Sequence, residues 1–227
     1  MHHLIKTLPL ILCLFSLSLS AAEPSNAPML RMENGMHTGT IRSISTDALQ
    51  RFVLTTSRDK TAKLWSVQEG QLLRTFRPPQ GAGNEGTLYA GALSPDGNTV
   101  AVAGSTGYEW DKTHSIYLFQ RKNGQLLRRI EGLPNAIVDL NFSAENRYLA
   151  VSIVSNGIQV LNASTGALVF KGDNSRRNDF SADGKLLTSS LDGYLRLYSA
   201  NFKLLAKQSA QGATCPISHV SHPMENA

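Results

Sequence analysis

The stretch His37–Phe76, HTGTIRSISTDALQRFVLTTSRDKTAKLWSVQEGQLLRTF, decides the fold of this 227-residue chain. It contains four short runs in which apolar and polar residues alternate, and polar turns separate the runs. The third run ends at Trp65 and follows a tight turn that contains Asp59. Because residues two apart lie on the same side of a β-strand, this alternation predicts four strands.

The pattern recurs along the chain at distances typical of β-propeller blades. The turn after the first strand of each copy is STDA at Ser45–Ala48, SPDG at Ser94–Gly97, SAEN at Ser143–Asn146 and SADG at Ser181–Gly184. Asp and Gly suit such turns, because Asp bonds to its own following backbone and Gly accepts a positive φ. The segments QLLRTF and QLLRRI, 54 residues apart, are a further repeat. We therefore predict an all-β fold of about four four-stranded blades.

The repeats define the expected domain boundaries. We place the blades at residues 36–76, 86–130, 133–170 and 173–208, all within a repeat region of residues 36–212. In the fourth blade only Asp173–Phe180 precedes the turn, which predicts a shortened first strand. Residues 213–227 contain two prolines and no turn motif, so we expect an irregular tail there.

Four residues of the first blade match the spacing of the hydrogen-bonded tetrad of WD40 blades: His37, Ser57, Asp59 and Trp65. The resemblance implies that the carboxylate of Asp59 accepts hydrogen bonds from His37 and Ser57, and that Ser57 and Trp65 complete the network. A buried polar network is tolerated only when all of its members are satisfied. We therefore assign these four residues a structural role.

Two longer segments, Gly86–Asn135 and Ser181–Gln208, resemble bacterial exported WD40-repeat β-propeller proteins. Some members of that group carry a caspase-like peptidase domain, and its QAC motif is absent here. Seven blades is the usual number in the resembled family. The resemblance ends after Gly212, so it implies a C-terminally truncated chain that represents part of a larger, seven-bladed type of propeller.

The first 22 residues have the features of a signal peptide. Leu8–Leu19 is apolar but too short to span a bilayer, and Ser20, Ala21 and Ala22 supply small residues before a cleavage site. Residues 23–35 then form an exposed N-terminal segment. We expect a periplasmic or secreted protein with no stable membrane anchor after cleavage.

The cysteine content and the net charge argue against a disulfide-stabilised protein and against a nucleic-acid-binding protein. Cys215 is the only cysteine after the predicted cleavage, so no intramolecular disulfide can form. Removing Lys6 lowers the 22 basic residues to 21, against 17 acidic ones, so the net charge falls from +5 to +4. The arginine pairs at 128–129 and 176–177 lie outside any run interleaved with aromatic residues. We interpret this charge as a solvated surface and expect no nucleic-acid partner.

The long loop Gly104–Ser115 of the second blade is the candidate site for a protein partner. The candidate residues are Tyr108, Glu109, Trp110, Asp111 and His114. Exposed aromatic and charged residues on a loop face are typical of binding hot spots. The alternative is that Trp110 packs onto its own blade. The Gly- and Pro-rich loop Arg77–Thr87 lies on the same face, where we expect it to be flexible.

No pattern indicates a cofactor or a metal. Cys215, His219 and His222 have a spacing that permits metal binding, but they lack a fourth ligand and a folded frame. The chain also has no GxSxG or HExxH motif. We therefore predict a non-enzymatic scaffold for protein–protein interaction in the cell envelope, capable of self-association through open blade edges. Its rivals are a propeller enzyme with a site in the central channel and a truncated, non-functional remnant.

The predicted signal peptide gives the first test. Cleavage after Ala22 would produce a mature protein that begins at Glu23, and the intact mass of the exported product measures this directly. A product that keeps Met1 and stays in the membrane fraction would contradict the prediction.

Overall fold

The computed structural model describes residues 35–107, 112–172 and 175–209. The predicted signal peptide (1–22), the segment 23–34 and the tail 213–227 lie outside this range, as do the candidate residues Tyr108–Asp111.

Sixteen β-strands account for the regular structure of the described residues. Blade 1 contains β1 (Ile41–Thr46), β2 (Phe52–Ser57), β3 (Ala62–Ser66) and β4 (Leu72–Phe76). Blade 2 contains β5 (Thr87–Leu93), β6 (Thr99–Ser105), β7 (His114–Gln120) and β8 (Leu126–Leu133). Blade 3 contains β9 (Ile137–Phe142), β10 (Tyr148–Ile153), β11 (Gly157–Asn162) and β12 (Leu168–Lys171). Blade 4 contains β13 (Ser175–Phe180), β14 (Leu186–Ser190), β15 (Tyr194–Tyr198) and β16 (Leu204–Ser209).

Each blade is an antiparallel sheet whose strands follow one another in chain order. The predicted all-β fold of four four-stranded sheets is therefore confirmed. The expected shortening of the first strand of blade 4 is wrong, because β13 has six residues, as β1 and β9 do. The difference in spacing lies in the loops instead. Three residues connect β12 to β13, whereas ten connect β4 to β5.

The turn after β1 is shifted by two residues from its predicted position at Ser45–Ala48. It begins at Asp47, which takes the place that Ser94 has in blade 2, and Ser45 lies within β1. The carboxylate of Asp47 accepts hydrogen bonds from the backbone N–H groups of Arg51 and Phe52 at 2.7 and 3.0 Å, as the Ser94 hydroxyl accepts one from Thr99 at 2.8 Å. An Asp therefore replaces the Ser at the start of this turn. The prediction placed the turn two residues too early because it took Ser45 as its first residue.

The fourth residue of this turn has a positive φ in all four blades. Three of these residues are types that tolerate the left-handed conformation, namely Gly97, Asn146 and Gly184, with φ values of 73°, 58° and 78°. Gln50 has a φ of 52° and takes the same position in blade 1. Gln rarely adopts this conformation, so the position could not be recognised in blade 1 from the residue type.

Neighbouring blades stack face to face and bury three apolar clusters, one at each junction. Strand β6 contributes side chains to two of these clusters. Val100 and Val102 belong to the cluster shared with blade 1, while Ala101 and Ala103 belong to the cluster shared with blade 3. Because successive side chains point to opposite faces of a strand, a strand between two blades is apolar at nearly every position. The contacts between blades come mainly from the first two strands of each blade, which are therefore the innermost ones.

Blades 1 and 4 each pack against only one neighbour in the described part of the chain. Strands of blades 1 and 4 make no contacts with one another comparable to those at the three junctions. On blade 1, Ile41 and Ile44 remain 47% and 63% exposed. On blade 4, Leu187, Leu195 and Leu197 are half-buried, whereas Leu186 on the opposite face is fully buried. The described residues thus form an arc of four blades with an apolar sheet face at each end.

Candidate functional site

A buried network of polar side chains joins the segment before β1 to the turn between β2 and β3. The Nδ1 atom of His37 lies 2.9 Å from the Asp59 carboxylate, and both side chains are about 95% buried, with 4% and 6% exposed. The Thr61 hydroxyl and the backbone N–H of Thr38 also donate to this carboxylate, at 2.6 and 2.9 Å. Burial alone would raise the pKa of Asp59, but the hydrogen bonds from Thr61 and His37 outweigh it and lower that pKa.

The hydroxyl of Thr55 is the link between His37 and Trp65. It lies 2.8 Å from Nε2 of His37 and accepts the Trp65 indole N–H at 2.9 Å. If Nδ1–H of His37 donates to Asp59, its Nε2 accepts from Thr55, so every member of the network is satisfied.

The structure therefore brings His37, Asp59 and Trp65 together but gives Ser57 a different role from the predicted one. The hydroxyl of Ser57 accepts the backbone N–H of Asp59 at 3.1 Å and so shapes the turn. Residues 55 and 57 lie on the same face of β2, because side chains alternate along a strand. Spacing alone did not distinguish the two hydroxyls. The close approach of Gly39 is a further requirement, since a Cβ there would lie 2.8 Å from the backbone nitrogen of Asp59.

Blade 4 stabilises the equivalent turn in another way. The guanidinium of Arg196 and the hydroxyl of Ser190 both donate to the carboxylate of Asp192. The hydrogen bond from Arg196 lowers the pKa of Asp192 below its usual range. No histidine takes part, and the buried hydroxyl of Thr188, which occupies the position of Thr55, has no hydrogen-bond partner among the described residues. An ion pair therefore replaces the histidine network at this turn.

The loops at one end of blade 2 enclose a cleft of about 470 Å³, which we call the loop cleft. Its lining comes from the β4–β5 loop, from the end of β6 and from the residues that lead into β7: Ala82, Gly83, Asn84, Glu85, Ser105, Gly107, Lys112, Thr113 and His114. Of the five candidate binding residues, only His114 is described, and it lies in this lining. Tyr108, Glu109, Trp110 and Asp111 follow Gly107 in the sequence and lie outside the described residues.

The Gly- and Pro-rich loop that we expected to be flexible is held by its own hydrogen bonds. The backbone N–H of Gly81 bonds to the carbonyl of Glu85 at 3.3 Å, and that of Gly86 to the carbonyl of Ser105 at 2.7 Å. The ammonium of Lys60, from the turn of blade 1, donates to the Gly81 carbonyl at 2.7 Å. The loop is thus positioned by both blades that flank it.

His114, in the lining of the loop cleft, has one buried ring nitrogen, Nδ1, without a partner among the described residues. Burial lowers the pKa of His114 below its usual value, so the ring is neutral at pH 7. A neutral imidazole can donate or accept a hydrogen bond, and Glu85 and Lys112 in the lining add one charge of each sign. The loop cleft is therefore suited to a polar or charged segment of a partner.

A second polar cluster joins the innermost strands of blades 3 and 4. The carboxylate of Asp139 accepts the backbone N–H of Asn178 at 2.9 Å, and the side chain of Asn178 donates to the Ser152 hydroxyl at 2.9 Å. The amide of Asn141 donates to the carbonyl of Asn178, and Arg177 lies 3.4 Å from the Asp139 carboxylate. Burial raises the pKa of Asp139 to about 6, although the hydrogen bond from Asn178 and the charge of Arg177 oppose this.

The sequence analysis did not identify this cluster, because Asp139 and Asn178 are 39 residues apart and no motif connects them. The signal lay in the position of Asp139, four residues before the turn residue Ser143. Ser43 has the same position relative to Asp47, and its hydroxyl also bonds to the backbone of the next blade, at Gly91. A polar residue at this position thus connects its blade to the next at two of the three junctions.

Comparison with known families assigns the repeats. The model of the WD40 family, described as WD domain, G-beta repeat, matches residues 33–66 and 168–199. The first match ends with β3 of blade 1, and the second runs from β12 through β15, so both include the Asp-containing turn. The chain therefore contains WD40 repeats at two sites, and its four sheets have the fold of WD40 propeller blades. A comparison with curated proteins found no match.

The network in blade 1 predicts a difference between two equivalent threonines. Thr55→Val leaves His37 and Trp65 without their shared partner in a buried place, and the free energy of unfolding should fall by about 1–3 kcal/mol. Thr188→Val removes a buried hydroxyl that has no partner, so its effect should be neutral or stabilising. Denaturant midpoints measure both. Equal losses for the two variants, or a larger loss for Ser57→Ala than for Thr55→Val, would contradict the assignment.

The raised pKa of Asp139 predicts a pH dependence of stability. The folded state binds this proton up to about pH 6, whereas an unfolded Asp releases it near 3.8. The contribution of Asp139 to the free energy of unfolding is therefore complete below about pH 4 and is lost as the pH rises through 6. The total loss is about 3 kcal/mol.

The variant Asp139→Asn isolates this effect from other titrating groups. The stability of the wild-type protein minus that of the variant should fall between pH 4.5 and 7, as measured by denaturant unfolding. Asp183→Asn is the matched control, because Asp183 is exposed and Lys185 lowers its pKa to about 2, below this window. A flat difference for Asp139→Asn would show that its carboxyl titrates normally.

Proposed function

We propose that the chain is a non-enzymatic scaffold of the cell envelope that binds other proteins through the loop cleft. WD40 repeats are typical of protein-interaction scaffolds, and two of them are present here. The observation that supports the choice of site is the loop cleft itself, where the strands of blade 2 hold two loops beside His114. Binding residues on loops positioned by a rigid frame are a common arrangement in proteins.

The size and chemistry of the loop cleft favour a peptide segment of a partner. A volume of about 470 Å³ accepts a few side chains, not a folded domain. The partner segment would place a hydrogen-bonding group at His114 and opposite charges at Glu85 and Lys112. Tyr108 and Trp110, which the sequence analysis predicts as partner-binding residues, lie outside the described residues.

A catalytic centre is the alternative function, and Asp139 would be its best candidate because its pKa is raised. However, both carboxylate oxygens of Asp139 are already engaged by Asn178 and Arg177 at the junction of blades 3 and 4. The described residues contain no group of three or more His, Cys, Asp or Glu side chains arranged to hold a metal ion. These contacts favour a structural role for Asp139.

Location in the cell envelope rests on the predicted signal peptide at residues 1–22. Among the described residues, no helix has the length and apolar character needed to cross a membrane. We propose that the protein is released into the periplasm or secreted after cleavage. Self-association through the open faces of blades 1 and 4 is part of this proposal, since large exposed apolar faces drive association.

Site-specific photocrosslinking in the cells that make the protein tests the loop cleft. A photoreactive amino acid in place of Asn84 or Lys112, both exposed in the lining, should give a discrete covalent adduct with a partner protein. His114→Ala in the same chain should weaken that adduct severalfold, because a hydrogen bond in a buried site is lost.

The matched control is Ser164, which is exposed in the turn between β11 and β12. In an antiparallel meander this turn lies at the opposite end of the sheets from the loop cleft. The same adducts from Ser164 and Asn84, or an adduct unchanged by His114→Ala, would contradict binding at the loop cleft.

A further inference from the structure

The two ends of the arc present opposite faces of the blade. We call the sheet face that packs on the following blade in chain order the forward face, and the sheet face that packs on the preceding blade the backward face. Each junction therefore joins the forward face of one blade to the backward face of the next. Strand pairing identifies equivalent residues. The residue just before the turn pairs with Val53 in blade 1, Val100 in blade 2, Leu149 in blade 3 and Leu186 in blade 4. These four are backward positions, and the residue that follows each of them is a forward position.

The forward face of blade 4 is built like those of the other blades. Leu187 is equivalent to Leu54, Ala101 and Ala150, which are 1%, 0% and 0% exposed. Its cross-strand partner Leu197 is equivalent to Leu64, Leu118 and Val160, which are 1%, 3% and 0% exposed. In blade 4 both residues are only half-buried, although they are apolar. The forward face of blade 4 thus has the side chains of a blade junction, but none of the blades in the described part of the chain stacks on it.

The backward face of blade 1 shows the same mismatch. Val53 and its partner Trp65 are half-buried, whereas the equivalent pair Val100 and Phe119 in blade 2 is 0% and 8% exposed. On the innermost strand, Ile44 is 63% exposed, while the equivalent Leu140 in blade 3 is 2% exposed. A large apolar residue that is exposed at a position buried in its repeats indicates a missing neighbour.

We propose that the forward face of blade 4 stacks on the backward face of blade 1 in a second copy of this chain, and the reverse, so that two copies close a ring of eight blades. The inference deepens the self-association within the proposed function. The contact continues a junction that already occurs three times within the chain. A head-to-tail contact repeats until it closes, and eight blades fall within the range of known propellers.

The existing junctions predict which residues meet at the new one. At the junction of blades 1 and 2, Gly91 faces Thr56, since a Cβ on Gly91 would lie 2.3 Å from Cγ2 of Thr56. At the junction of blades 3 and 4, the side chain of Asn178 donates to the hydroxyl of Ser152 at 2.9 Å. Ile44 occupies the position of Gly91 and Asn178, three residues before the turn residue. Ser189 occupies the position of Thr56 and Ser152, because each of these three residues pairs with the first-strand residue that lies four positions before the turn residue. Ser189 should therefore meet Ile44 of the second copy.

Disulfide cross-linking tests this contact. In a chain freed of its own cysteines by Cys13→Ser and Cys215→Ser, the double variant Ile44→Cys with Ser189→Cys should oxidise to a covalent two-copy species on a non-reducing gel. A mixture of the two single variants should also cross-link. Ser189→Cys alone should not, because a head-to-tail contact never brings two copies of the same face together.

Three outcomes would overturn the proposal. A disulfide within one chain would show that the four blades close on themselves. Cross-linking of Ser189→Cys alone would show that like faces meet. No more product than from Ser164→Cys, in an exposed turn, would show that the faces stay apart. The positive control is Ser152→Cys with Asn178→Cys, which should form an intrachain disulfide.

The molar mass in solution gives an independent measurement. Light scattering and sedimentation equilibrium should show twice the chain mass, and Ile44→Glu should weaken the dimer by about tenfold or more, because it buries a charge without a partner. Leu49→Glu is the matched control, since Leu49 is 71% exposed in the turn of the same blade and off this face. A monomer for the wild-type protein, or equal weakening by both variants, would contradict the proposed junction. Photocrosslinking at the loop cleft does not depend on this result, so the two proposals can fail separately.

Discussion

The stacking of one sheet on the next is the interaction on which the rest of this structure depends. Each four-stranded sheet has two faces, and a lone sheet of this size cannot bury both of them. Blades 2 and 3 solve this problem by packing on both sides, which explains why β6 and β10 are apolar at nearly every position. Polar side chains reinforce the stacking at the innermost strands, where Ser43 and Asp139 bond to the backbone of the following blade.

The two blades recognised as WD40 repeats reach the same turn by different chemistry. In blade 1 a chain of hydrogen bonds runs from Asp59 through His37 and Thr55. In blade 4 the ion pair of Asp192 with Arg196 takes its place. The Asp is common to both because its carboxylate bonds to the backbone of its own turn, at Thr61 in blade 1. The partner of that carboxylate is free to vary between repeats.

The sequence predicted the strands and most of the turns, since both follow from local residue patterns. Period-two alternation and Gly or Asp in the turns determine them without reference to the rest of the chain. The errors arose where a residue acts through a distant neighbour. Thr55 and Ser57 are equivalent by alternation, and only the approach of His37 selects Thr55. Likewise, Asp139 is a single acid in an apolar strand until blade 4 supplies Asn178.

The unequal lengths of the loops between blades have a consequence for how this fold can diverge. Only three residues join β8 to β9 and β12 to β13, so these connections leave little chain beyond what links the two strands. The ten-residue loop before β5 closes on itself through backbone bonds and leaves the blades in register. Lengthening such a loop costs little, because closure entropy grows only with the logarithm of its length. Insertions and deletions can therefore remodel this rim while the sheets beneath it remain unchanged.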